Sequence, residues 1–120
     1  VVNITAESDT TWENATDYNE GFPGDTLKYY VHYKNIGNAE VDSVTIYDAI
    51  PTYTDYLSNT AQFEAGFGSG TIEFSSDGGA TWSAIEPDGV DVTNIRWHHA
   101  DGGILTPGET GRISFKVVIE

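Results

Sequence analysis

Residues 112–119 read Arg-Ile-Ser-Phe-Lys-Val-Val-Ile. Ile113, Phe115, Val117 and Ile119 alternate with Arg112, Ser114, Lys116 and Val118. A period of two places the first set on one face of a β-strand and the second on the other. Residues 27–34 have the same phase, with Leu27, Tyr29, Val31 and Tyr33 against Lys28, Tyr30, His32 and Lys34. Pro23-Gly24-Asp25 is a turn signal before that strand, and Asn35 to Asn38 turn the chain after it. Shorter runs fit the same scheme. A strand is expected from about Val41 to Asp48, with Val44 and Ile46 inward and Pro51 closing it. Residues 52–63 are expected to cross between sheets, with Tyr53, Tyr56, Leu57 and Phe63 over the core edge. Thr71 to Ser75 form a strand with Ile72 and Phe74 on one face. Ser76 to Ala80 make a tight turn, and Trp82 is expected to open a returning strand. Val92 to Trp97 is a further strand, followed by a turn from His98 to Gly103. No segment combines a helical period with caps. Short strands punctuated by turns predict an all-β fold, an antiparallel Ig-like β-sandwich of about seven strands.

The chain has 120 residues, which suits one domain. Five Lys and Arg face 19 Asp and Glu, for a formal charge of -14. That balance opposes binding to a nucleic-acid backbone or an anionic membrane surface. No apolar run is long enough to span a bilayer as a helix, so no membrane insertion is expected. Cysteine is absent, which excludes disulfides, thiolate catalysis and Cys-based zinc sites.

The organisation divides into an N-terminal strand over 1–7, a polar linker or loop over 8–22, and the sandwich over 23–120. In the first part Val2, Ile4 and Ala6 share a face opposite Asn3, Thr5 and Glu7. The linker is acidic and without period. A start at Val1 fits a protein processed on export, and equally an excised domain. Two readings of the N-terminal strand stand: it is the sandwich's own first strand, or it is a donor that completes the sheet of a neighbouring copy. About fifteen linker residues at roughly 3.3 Å each reach about 50 Å, around one domain length. As a donor, Val2, Ile4 and Ala6 would fill pockets in the acceptor.

Three segments carry a family resemblance. Pro23-Gly24-Asp25-Thr26-Leu27-Lys28-Tyr29 leads into Tyr33-Lys34-Asn35-Ile36-Gly37-Asn38-Ala39. Val44-Thr45-Ile46-Tyr47-Asp48-Ala49-Ile50-Pro51 follows. Leu105-Thr106-Pro107-Gly108-Glu109-Thr110 then precedes the last strand, and Ser75-Ser76-Asp77-Gly78-Gly79-Ala80-Thr81-Trp82 also fits. From about Phe22 to Glu120 the chain resembles the Ig-like conserved-repeat domain of bacterial and archaeal cell-surface proteins, domain of unknown function eleven. The resemblance implies a secreted or surface-anchored sandwich with a structural or adhesive role and no catalytic residues.

Site chemistry is sparse. The only histidines are His32, on a polar strand face, and the adjacent His98 and His99, whose side chains would point to opposite faces and not share an ion. No HExxH, GxSxG, P-loop or dinucleotide fingerprint is present. No catalytic residue and no resident metal are assigned. Calcium is the one candidate cofactor, since Asp77, Asp88, Asp91 and Asp101 sit in or near turns, but none has EF-hand spacing. Asn3-Ile4-Thr5 and Asn14-Ala15-Thr16 are N-glycosylation sequons, which makes Asn3 and Asn14 candidate glycan carriers. Trp12 and Trp97 are the candidate ligand aromatics for a carbohydrate platform. The leading expectation is a non-enzymatic extracellular subunit that polymerises with copies of itself into a pilus-like filament by donor-strand complementation. The alternative is a surface adhesion or carbohydrate-binding module of a larger cell-surface protein.

Overall fold

The alternating segment at the C-terminus forms the central strand of the molecule. The computed structural model describes residues 2–3, 22–42, 44–65, 70–99 and 104–120. In chain order the strands are β1 (Val2–Asn3), β2 (Thr26–Lys34), β3 (Thr45–Ala49), β4 (Thr54–Tyr56), β5 (Gln62–Ala65), β6 (Gly70–Ser75), β7 (Asn94–His99) and β8 (Thr110–Ile119). One turn of 3-10 helix spans Gly89–Asp91. β8 pairs with β2 along one side, and with β4 and β5 in succession along the other. β1 lies outside β2 at the edge. A second sheet has the order β3-β7-β6, and all pairings in both sheets are antiparallel. The protein is therefore a two-sheet antiparallel β-sandwich, as the strand pattern predicts.

The inward residues of β8 are the foundation of the core. Ile113 and Val117 are fully buried and Phe115 is 1% exposed. Tyr29 of β2 stacks on Phe115 with centroids 5.3 Å apart, and Trp97 of β7 meets the same ring at 5.8 Å. Ile95 and Trp97 come from the opposite sheet, so the two sheets close over one layer of side chains. Burying each such side chain contributes about 1.5–3 kcal/mol.

The turns that carry the resemblance have local physical reasons. Asn35 is buried, and its amide donates to the carbonyls of Ala39 (2.8 Å) and Leu105 (2.9 Å) while its oxygen accepts from Gly37 N–H (2.9 Å). That side chain ties the loop after β2 to the segment that leads into β8. In the 76–80 turn Gly78 and Gly79 take φ of 76° and 93°, which side-chain-bearing residues rarely adopt.

Several expectations need correction. Trp82 does not open a strand: Ser83 makes a single bridge to Phe74 and the chain then turns away. The crossing between sheets is confined to residues 50–53, between β3 of the second sheet and β4 of the first, and residues 54–63 stay beside β8, because β4 and β5 both pair with it. Tyr53 is 77% exposed and Leu57 is 38% exposed, so neither covers the core edge as expected. β3 begins at Thr45, and Val41 contributes only a bridge to Leu105. His98 and His99 belong to β7 and not to a turn.

Tyr56 holds the β4–β5 connection in place. Its hydroxyl donates to Glu86 at 2.5 Å and accepts from the N–H groups of Thr60 (3.3 Å) and Ala61 (3.1 Å). Burial above all, with the hydrogen bond to Glu86, pushes its pKa up to about 12. Tyr56→Phe keeps the ring and leaves these groups without that partner. The expected cost is about 1–3 kcal/mol in urea denaturation, with an unchanged slope. A variant as stable as the parent would show that the hydroxyl does not hold this connection.

Candidate functional site

The candidate site is the edge where β1 meets β2. Val2 is the register partner of Lys28, and Asn3 of Leu27. β2 is already joined to β8 through nine partners on its other side, from Thr26↔Val118 to Lys34↔Thr110. The connection from β1 to β2 runs over residues 4–25. Antiparallel neighbours are usually joined by two to about five residues, so this pairing is not imposed by a tight hairpin. Ile4 and Ala6, named above as donor positions, lie outside the described residues, as do Trp12, Asn14 and Asp101. For Val2 and Asn3 the backbone register is what the structure gives.

A polar network backs the landing point of β1. The Lys28 ammonium lies 2.9 Å from a Glu64 carboxylate oxygen and 4.8 Å over the Tyr30 ring. Ser114 donates to the same carboxylate at 2.6 Å and Gln62 at 2.8 Å. The network joins β2, β8 and β5 across the outer face of the sheet. Burial works to raise the Glu64 carboxyl, but the hydrogen bonds from Ser114, Lys28 and Gln62 outweigh it and hold its pKa at about 2. For Lys28 burial works downward, and the Glu64 contact overrides it, so the ammonium keeps its charge.

The other residues named from sequence fall elsewhere. Trp97 is 0% exposed between β3 and β6, so it cannot serve as a ligand aromatic on the surface; this corrects the expectation. Alternation within Asn94–His99 carries the signal, because Ile95, Trp97 and His99 share the inward phase. Trp82 is half-buried on the outer face of the second sheet. The Arg96 guanidinium lies 4.5 Å from its ring and Tyr47 approaches its edge at 5.8 Å. Arg96 also pairs with Glu73 at 2.9 Å. The ring thus has cationic and aromatic partners of its own. Beside it is an open cleft of about 340 Å³ lined by Phe74, Thr81, Trp82, Ser83 and Ile85, among others.

The histidines separate as strand geometry requires. His32 is exposed. His98 Nδ1 is 2.5 Å from the Thr45 hydroxyl on the outer face. His99 is fully buried, with Nε2 2.7 Å from the Tyr33 hydroxyl and its ring against Phe63. Asp77 serves its own turn: it accepts from Ser75 Oγ (2.7 Å), Thr81 N–H (2.9 Å) and Thr81 Oγ1 (2.5 Å). The Thr81 hydroxyl and the Ser75 hydroxyl hold its pKa at about 2. Among the described residues no group of three or more His, Asp or Glu is placed to hold a metal ion. Among them, too, no helix is long and apolar enough to cross a membrane.

Glu64 and Asp77 both lie below their unfolded values. Each therefore contributes stability that is complete above about pH 4.5 and is lost as pH falls toward about 2. Urea midpoints are expected to fall through that window, and to fall less in a Glu64→Gln, Asp77→Asn double variant. Parallel pH profiles for parent and variant would contradict the assignment. In comparisons with protein families, curated proteins and solved structures, no match to this chain was found.

Proposed function

We propose that this protein is a non-enzymatic extracellular structural subunit that assembles head to tail by passing its N-terminal strand to a neighbouring copy. The observation that carries the reading is the pairing of β1. It is an edge strand, held to β2 by backbone register at two positions and connected to it through residues 4–25. The same ladder bonds form whether the strand comes from the same chain or from another copy. Exchange of an identical element between copies then conserves the bonds and changes only the connectivity.

The chemistry of the surface supports a structural role. Several polar side chains are engaged within the fold: Asp77 by its own loop, Arg96 by Glu73, Glu64 by Lys28 and Ser114. The resemblance of residues 22–120 to a cell-surface repeat domain supports an extracellular setting. Asn3 and Asn14 supply acceptor positions for N-glycans along the strand and linker. A carbohydrate-binding role has less support, since Trp97 is enclosed and Trp82 stacks with Arg96.

When each copy passes its strand to the next and receives none back from it, the contact is heterologous, and repetition without ring closure gives an open filament. Deleting residues 1–7 is expected to leave a folded monomer at concentrations where the full chain forms fibres in electron micrographs. Adding a synthetic peptide of residues 1–7 in excess is expected to suppress fibre formation by the full chain. Fibres from the truncated chain would overturn the strand-exchange mechanism.

A further inference from the structure

The two layers of the sandwich are unequal at one side. Tyr56 of β4 meets Phe74 of β6 with ring centroids 5.7 Å apart, and Phe115 of β8 meets Trp97 of β7. Burial first, and the Asp48 charge second, push the Tyr29 phenol above its ordinary pKa, which makes β2 and β3 neighbours across the sandwich. So β6 faces β4, β7 faces β8 and β3 faces β2. The first sheet continues beyond β2 to β1, whereas the second sheet ends at β3. Burial records the open seam that results. Leu27, Tyr29, Val31, Ile46 and Ile50 pack on the core but are only half-buried, while Ile95, Trp97, Ile113 and Val117 at its centre are inaccessible.

The outer edge of β3 can receive a strand. The Val44 carbonyl accepts from His99 N–H, and Ile50 N–H bonds the Thr93 carbonyl, so the even-numbered residues of β3 carry the ladder to β7. The N–H and C=O groups of Thr45, Tyr47 and Ala49 alternate with them and face away from β7. Edges of this kind take up an extended chain by strand addition. The opposite edge of the sheet, β6, is already engaged at Phe74, which bonds Ser83 in both directions.

Asp48 decides which chain fits. It shares the inward phase of Ile46 and Ile50 and is half-buried in the seam. No ion pair of Asp48 occurs among the described residues; Lys28 is held by Glu64 and Arg96 by Glu73. Burial pushes its carboxyl above the ordinary aspartate value, against the pull of a hydrogen bond from Ala49 N–H. A strand added to β3 sets one inward side chain directly opposite this carboxylate, and enclosing it beside an acidic or apolar residue is costly. Residues 1–7 of this chain contain no Lys or Arg to place there. We infer that the β3 edge is a docking site for an extended basic segment of another protein, with a Lys or Arg opposite Asp48 and apolar residues two positions to either side, against Ile46 and Ile50. The charge of -14 favours such a partner over a second copy. The site is separate from the β1–β2 edge and goes beyond the structural role proposed above.

A peptide titration tests the inference. The full chain, below its fibre-forming concentration and at physiological salt, is titrated with a capped heptapeptide in which Thr alternates with Val, Lys and Val. In antiparallel register its central Lys stands opposite Asp48. The amide NMR signals of Thr45, Tyr47 and Ala49 are expected to shift, and the same peptide with Glu in place of Lys is expected to bind about tenfold or more weakly. Asp48→Asn keeps the shape and removes the charge, and is expected to lower affinity for the lysine peptide about fivefold or more. Asp88→Asn makes the same change of net charge at an exposed site and is expected to leave it within about twofold. Thermal unfolding checks each variant; should Asp48→Asn lower Tm, the lysine and glutamate peptides on the parent decide alone. Equal binding of the two peptides, or shifts that spare β3, would overturn the site. An equal loss in Asp88→Asn would reduce the effect to general charge attraction and likewise overturn it. A peptide of residues 1–7 that shifts the β3 amides as strongly as the lysine peptide would make a second copy the occupant and overturn the basic partner. Fibre formation is a separate readout, and its absence would overturn strand exchange while leaving this edge untouched.

Discussion

Everything in this molecule leans on β8. In the larger sheet it is the strand flanked on both sides along most of its length, by β2 on one side and by β4 and β5 on the other. Its inward residues Ile113, Phe115 and Val117 are all but inaccessible to water and receive Tyr29 from one neighbour and Trp97 from the facing sheet. Its outward residues Ser114 and Lys116 take part in the polar surface that links β2 to β5 and to the 57–60 turn. A one-residue slip of β8 would invert both sets at once, which is why its register is so strongly specified.

With β8 and β2 locked together, β1 is in a different physical position. Its two register pairs add to an edge that already has nine pairs on its other side. The strand is consequently the element whose partner can change at least cost to the rest. An exposed sheet edge invites pairing with another chain, and natural proteins cover such edges or use them. The proposed filament does both, since the donated strand covers the edge that receives it.

The long alternating segments were legible because burial on one face and polarity on the other leave a period of two. Leu27 to Lys34 and Arg112 to Ile119 could be phased residue by residue, and Pro23, Gly37 and Pro51 bounded them. What stayed hidden was long-range. That Lys28 stands opposite Lys116 depends on the pairing of segments far apart in the chain, and alternation alone cannot supply register. His99 looked like part of a turn because histidine is polar, yet it follows Ile95 and Trp97 in phase, and Tyr33 provides the hydrogen bond that lets it be buried. Trp82 looked like a strand opener, but Asp77 and Ser75 consume the hydrogen bonds of the preceding turn, and one bridge at Ser83 is all that remains. The donor positions Val2, Ile4 and Ala6 could be proposed from their phase, while which copy receives them is a property of the assembly and leaves no trace in a single chain.

The most direct measurement uses the absence of cysteine. Val2→Cys and Lys28→Cys place thiols at register partners, and opposite residues on antiparallel strands lie within disulfide range. One batch of protein carries the first substitution and a second batch the other, mixed under fibre-forming conditions and oxidised. The account predicts a disulfide joining the two different chains, which does not form when the mixture is diluted below the assembly concentration before oxidation. A disulfide that forms only when both cysteines share one chain would show that β1 stays at home.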